Sequence, residues 1–388
     1  MKLAELLKNN MRSYGMIVAL MFIILLFSVL SDGILLRPLN VTNLILQNSY
    51  ILVLAIGMVM VIIAGHIDLS VGSVCAFVGA IAAILMIDMQ LPTVLAVLIC
   101  LLLGALIGGW HGFFIAYLKM PSFIVTLAGM LLFRGLTMVV LGGQSKSPYP
   151  PEFILISSGF LPDIPFLGWA SYHTLTILIG VILSLFVIFS ELKERRVQMN
   201  NQFTVLPKGF FIAKLIGMVA IINIFTFVLA SYRGIPNILV ILFVLIVLFS
   251  FVMNKTVIGR HIYATGGNQK AAELSGVKTK RVTFWVFVNM GFLSAMAGLI
   301  YAARLNSATP RAGTMFELDA IAAAFIGGAS MAGGVGTIVG AVVGGLVMGV
   351  MNNGMSLLGV SIDWQQAIKG LVLLAAVGFD IYNRNKAK

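Results

Sequence analysis

The sequence predicts an all-α fold, a polytopic bundle of membrane-spanning helices. Three observations predict it. Of 388 residues, 60% are hydrophobic and only 10% are charged, whereas a soluble domain is nearer half apolar and a quarter charged. The apolar residues gather into runs close to the ~20 residues that cross a bilayer as a helix. The basic residues fall mainly between alternate pairs of runs, as the positive-inside rule requires.

Taken in order, the apolar segments are 14–31, 48–64, 70–87, 92–117, 122–141, 172–190, 210–230, 235–253, 282–303, 317–331, 335–352 and 363–382. The first follows a basic flank at Lys2, Lys8 and Arg12. After it comes Ser31-Asp32-Gly33, no convincing small-residue cleavage site, so it reads as a retained span. Segment 317–331 is short for a full crossing and suggests a half-helix or a re-entrant turn. With the N-terminus in the cytoplasm, 17 Lys and Arg fall in inner segments and 5 in outer ones. Arg134, Lys214 and Lys369 are left within spans. That bias places both termini inside and requires an even number of passes, twelve with the short one. The outer loops SKSPYPPEF and SGFLPDIPFLGW carry Pro, Ser and aromatics, as turns at a water interface do. Residues 254–281 form the longest strongly polar inner segment.

Small residues recur four apart at Gly104, Gly108 and Gly112, at Gly336, Gly340 and Gly344, and at Gly72, Ala76 and Ala80. Such stripes let helix backbones approach closely in lipid. The neighbour is either another helix of the same chain, a subunit seam or a pathway wall.

Several chemistries are excluded. There is no GxxxxGK[ST], so the chain carries no ATP-binding loop of its own. There is no HExxH, no CxxC and no evident GxSxG with triad partners. Cys75 and Cys100 lie inside apolar runs and suggest neither a disulfide framework nor a metal site. His66, His111, His173 and His261 are scattered, without metal-like pairing. The chain therefore reads as no enzyme, with no cofactor and no metal. The net charge of +12 fits positive inner loops better than a nucleic-acid surface. An ion-driven carrier usually needs carboxylates at membrane depth. Here the acidic residues sit at span ends: Asp32, Asp68, Asp88, Glu191, Glu194, Glu273, Glu317, Asp319, Asp363 and Asp380. Arg134, well inside its span, is either a structural pair or carbonyl donor or a pathway residue.

The stretch AGHIDLSVGS, 64–73, interrupts two apolar runs. By the topology above it is an inner turn. Asp68 can cap the following helix, with Ser70 as the alternative cap. The rival reading puts the turn inside the bundle, where non-helical backbone is tolerated only against a cavity or protein.

IDLSVGS after an apolar span resembles the permease subunits of bacterial ABC sugar importers of the ribose, xylose and galactose group. PSFIVTLAGMLLFRG (121–135), GRHIYATGGNQKAAELSGV (259–277), ELDAIAAAFIGGASMAGGVGTIVGA (317–341) and NNGMSLLGV (352–360) resemble the same family in the same order. The chain looks most like the longer, xylose-type permeases: about ten core passes plus an inserted hairpin, here within 172–231. His66 departs from the family, which often shows Glu or a small residue there.

The resemblance implies one permease domain over 1–388, a homodimeric pore in a bacterial inner membrane, a cytoplasmic ATPase and a periplasmic or lipid-anchored sugar-binding protein. It makes 254–281 the coupling loop. Gly266, Gly267, Asn268, Ala271, Ala272, Ser275 and Gly276 then belong to a short helix that seats in the ATPase. The residues agree: Gly-Gly breaks the chain, Asn268 can cap, two turns fit before Gly276, and Ala271 and Ala272 offer a small docking face. Gln47, Asn48, Asp68, Ser70, Ser73, Arg134 and Asp319 are the candidate path residues, with Asp319 alternatively capping a helix near Ala320. A stand-alone ion-coupled transporter is the alternative reading.

Overall fold

The structure is a computed structural model and describes residues 11–164, 172–203 and 205–386. Lys2, Lys8 and Lys388 of the basic flanks, and part of the SGFLPDIPFLGW loop, lie outside the described residues. Among the described residues there are fifteen helices and no strand. They are α1 (Met11–Leu30), α2 (Pro38–Ile63), α3 (Val71–Ala83), α4 (Thr93–Ala116), α5 (Ser122–Leu141), α6 (Pro151–Ser158), α7 (Thr174–Asn200), α8 (Lys208–Ala230), α9 (Asn237–Lys255), α10 (Val257–Gly267), α11 (Gln269–Leu274), α12 (Thr279–Leu305), α13 (Phe316–Ile326), α14 (Ile338–Leu357) and α15 (Ile362–Lys386). A π-helical turn, Ile84–Asp88, extends α3.

Each of the twelve apolar segments contains a helix. Among the described residues, nine helices are long and apolar enough to cross a membrane. The short segment is α13, with 11 residues, or ~16 Å of rise. Two helices lie where the sequence suggested loop. α6 starts at Pro151, since proline is already shaped for a first helical position and lacks the N–H that would be left free there. α10 starts at Val257 behind Thr256, whose hydroxyl accepts from Gly259 N–H.

The chain divides into two compact units. The smaller comprises Leu36–Asn43 and Gly159–Asn237 and contains the antiparallel pair α7–α8. A Cβ at Gly180 would collide with Thr226, so these helices touch. Asn223 donates to Ser184 Oγ at 2.8 Å, Lys214 pairs with Glu191 at 2.8 Å, and Arg195 lies over the Phe211 ring.

The larger comprises the chain up to Leu35 with Leu44–Ser158 and Ile238–Lys388. It is built around α12. The glycine stripe of α4 packs on it: side chains at Gly104, Gly108 and Gly112 would strike Gly291, Phe287 and Phe284 of α12. The stripe of α14 packs on α13, Gly340 against Gly327 and Gly344 against Ala323. These stripes are seams within the chain. α2 runs antiparallel to α12, with Tyr50 beside Tyr301 and Gly57 beside Met290. α3 runs parallel to α12 but starts level with its middle, because Cys75 meets Ser294 and Gly298.

Candidate functional site at the middle of the bundle

Two breaks in helical backbone meet beside the middle of α12. The first is 64–70. α2 ends at Ile63, and Gly65 takes φ +85, a left-handed conformation that suits glycine. The turn does not lie at the end of the bundle. His66 packs 5.8 Å from the Phe287 ring, two turns past Thr279 or ~12 Å along α12. This is the in-bundle alternative for AGHIDLSVGS. Backbone at such depth must find partners inside the protein. Ile67 N–H donates to Ser122 Oγ at 3.4 Å and Thr126 donates to Ile67 O at 3.5 Å. Asp68, 2% exposed, accepts from Ser70 N–H at 2.8 Å and Ser70 Oγ–H at 2.6 Å. The capping expectation is not met: neither Asp68 nor Ser70 bonds a free N–H of the helix. Ser70 occupies the N-cap position without a side-chain bond to the helix, and Asp68 holds Ser70. Ser73 donates to Ser70 O at 2.7 Å, so both hydroxyl donors are used within the turn. A cleft of about 150 Å³ lies beside it, lined by Ile62, Gly65, His66, Ser122, Phe325 and Met331, among others.

The second break is 306–315. Its start is pinned near the Leu305 end of α12, where Ala308 pairs with Lys146 and Asn306 accepts from Tyr149 N–H at 2.9 Å. It then descends to the first turn of α3. A Cβ at Gly313 would strike Gly72 O. Here Arg134 supplies the missing donors. Its guanidinium donates to Ala312 O and, at 3.2 Å, to Gly313 O. Of the two readings of Arg134, the structure displays the carbonyl donor.

α13 starts from this point, so the N-termini of α3 and α13 meet and their axes diverge. Glu317 and Asp319 lie in the first turn of α13, where negative charge complements the helix dipole. α13 starts four residues earlier than expected, so Asp319 is not its N-cap. Its carboxylate pairs instead with Lys369 of α15 at 3.0 Å. Glu317, 7% exposed, places Oε2 against Gly72, and that oxygen has no hydrogen-bond partner among the described residues. Leaving a buried acceptor unpaired costs about 1–3 kcal/mol. Beside it, Tyr50 stacks on Phe316 at 4.2 Å, and Tyr301 meets both edge-on at 5.0 and 4.9 Å.

The other path candidates separate. Asn48 is buried, donates to Leu44 O at 2.8 Å and packs on Gly349. Gln47 is exposed on another face of α2. Sequence reasoning missed Glu317 and the aromatic trio. The signal for Glu317 was available: a second acid two residues before Asp319 in the short apolar segment.

The 254–281 segment is built as two helices around one residue. Asn268 ends α10, and its Oδ1 accepts from Ala271 N–H at 3.0 Å to start α11. Gly276, at φ +86, closes α11 with its N–H on Glu273 O at 2.9 Å. The proposed docking face needs a correction. Ala272 is buried and Ala271 exposed, because a two-turn helix lying on the protein has one inner side. The residue that projects is Leu274, 91% exposed. Burial elsewhere joins this segment to the first break. A Cβ at Gly266 would collide with Ile63 O, and Gly334 N–H donates to that same oxygen at 2.8 Å. Tyr263 Oη–H donates to Gly336 O at 2.7 Å. Three backbones therefore cross with no side chain between them.

A helical bundle broken at its middle, with a short capped helix presented beside its core, has the construction of a transport subunit. The chain belongs to the family described as branched-chain amino acid transport system / permease component, which it matches over residues 40–377. It is 42% identical to the xylose transport system permease protein XylH of Haemophilus influenzae, over 97% of this chain and 98% of that protein. It is 39% identical to XylH of Escherichia coli K12, over 97% and 94%. Identity to the ribose import permease protein RbsC of Escherichia coli K12 is 34%, over 94% and 92%. No solved structure matches.

Proposed function

We infer that the chain is the membrane subunit of an ATP-driven importer that carries a pentose, xylose or a related monosaccharide, into the cytoplasm. The observation that carries this reading is its 42% identity to a xylose permease over 97% of the chain. The family description names branched-chain amino acids, which sets the competing substrate class. ATP hydrolysis belongs to a separate cytoplasmic ATPase, since no GxxxxGK[ST] is present. A periplasmic or lipid-anchored binding protein delivers the sugar, and two copies of the chain form the pore. Both termini face the cytoplasm of a bacterial cell with the chain in its inner membrane, in line with the basic-residue bias.

In this reading α11 is the coupling helix and Leu274 its anchor in the ATPase groove. The crossing at Gly266 hands movement of α11 to Ile63 and to the 333–336 turn. Asp68, Ser70, Ser73, Arg134 and Asp319 shape the path, with Gln47 and Asn48 at its flank. Its affinity for sugar must be low enough for release. The α7–α8 hairpin is an insertion into a shorter permease plan.

The test is uptake into proteoliposomes holding the chain and its ATPase, with binding protein outside. Labelled xylose should accumulate only with ATP inside. Leucine accumulation would transfer the reading to amino acids. Uptake by the chain alone on a proton or sodium gradient would make it a secondary carrier.

A further inference from the structure

We propose that Glu317 and the ring cluster of Tyr50, Tyr301 and Phe316 form a contact point, half-way through the bundle, for an uncharged polyhydroxylated substrate. The inference rests on the transport reading above and adds the residues that touch the cargo.

The first observation is the free acceptor. Glu317 Oε2 is buried and unpartnered among the described residues, and it faces the first turn of α3 at Gly72. Its neighbours are already engaged. Arg134 binds the carbonyls of 312 and 313, and Lys369 binds Asp319. A buried acceptor left open in one state is satisfied by a donor that arrives in another. Among the described residues no group of three His, Cys, Asp or Glu could hold a metal ion, and the open oxygen is offered to a hydrogen-bond donor.

The second observation is independent. Phe316, next in sequence to Glu317, stacks on Tyr50, and Tyr301 closes the cluster. Tyr50 and Tyr301 are only partly buried, and among the described residues neither phenol finds a hydrogen-bond partner. A pentose has the matching chemistry: an apolar C–H face for a ring and hydroxyls for a carboxylate. In the present state the rings rest on one another, so the contact forms when α2 and α13 separate and a ring face opens. One carboxyl oxygen and one ring face give orientation without the many bonds that would trap the sugar.

The experiment uses the full chain with its ATPase and saturating binding protein in proteoliposomes. The probes are xylose and its singly deoxygenated derivatives. Glu317→Leu, which removes the acceptor, should lower xylose uptake about tenfold, as loss of a hydrogen bond to a charged group does. It should also erase the penalty that the wild type shows for one deoxy derivative, a coupling that a purely structural role cannot produce. Tyr301→Phe should keep uptake, and Tyr301→Leu should reduce it severalfold. Glu317→Asp, which keeps the carboxyl group, should restore part of the rate. Unchanged uptake in Glu317→Leu, or an equal fall for every derivative, overturns the contact while leaving the importer intact. A wild-type complex that moves no sugar overturns both.

Discussion

The bundle breaks its helices twice, after α2 and after α12, and each break is followed by a half-helix that starts at mid-depth. The two are satisfied differently. At 64–70 the partners are mixed: Asp68 holds Ser70 within the turn, and Ser122 and Thr126 of α5 hold Ile67. At 306–315 the carbonyls of Ala312 and Gly313 depend on Arg134, far away in sequence. The carboxylate at the first half-helix is engaged, whereas Glu317 at the second keeps an oxygen open. A break held from another helix can be released by shifting that helix. Both breaks take partners from α5, and the second differs in depending on that helix for two carbonyls and in keeping an acceptor open.

Substitutions can break this contrast. The largest effect is expected at Gly313, which has φ +68 and no room for a Cβ beside Gly72. Gly313→Ala combines backbone strain with overpacking, each ~1–3 kcal/mol, and should abolish uptake and lower the melting temperature in detergent. Arg134→Leu comes next. It strands two carbonyls in partly buried contacts, at up to ~1–3 kcal/mol each, and Arg134→Lys should recover only part of the loss, because one ammonium lacks the fork. A melting temperature unchanged in Arg134→Leu would refute dependence of the second break on α5.

Gly266→Ala tests how the first break is driven. The collision with Ile63 O should displace α10 and α11 while the bundle stays folded. ATPase association should persist and uptake should fall at least tenfold, an uncoupling measurable as ATP hydrolysed per sugar moved. Asp68 sharpens the comparison further. Asp68→Asn can still accept from Ser70 and should cost under ~1 kcal/mol, while Asp68→Leu leaves Ser70 N–H unpaired at ~1–3 kcal/mol. Equal melting temperatures for the two would show that the turn is not held by its own carboxylate.

The smallest effect concerns pH. Glu273 lies outside the bundle helices, and its carboxyl is held below the ordinary value chiefly by the Thr279 hydroxyl. A depressed folded-state value means that the stabilisation of α11 is complete above the ordinary glutamate range. It is lost as pH falls through the lowered value. Amide protection across 269–274 should therefore drop in that acid window, and Thr279→Val should remove the dependence.

Much of the fold was legible because apolar run length and basic-residue placement are local properties. The short segment at 317–331 was visible as too short, and Arg134 as out of place. What joined them was not visible. No periodicity reports that Arg134 would bind carbonyls of 312 and 313, or that Glu317 would rest on Gly72. Those contacts depend on where the non-helical stretch 306–315 turns inward, which no side-chain pattern encodes. The capping of α11 was legible from Asn268 and Gly276, since caps are sequence-local. Its orientation was not: Ala272 faces the protein and Leu274 faces away, a matter of how the helix lies on its neighbours.

Asn268 closes α10 and opens α11 with no residue between them. The junction therefore has a single pair of soft torsions and almost no slack. Such a pair acts as a crank rather than a tether, because rotation at one arm arrives undiminished at the other. Residues inserted beside Asn268 would work as a clutch: the motor would run on, and the cargo would stay where it was.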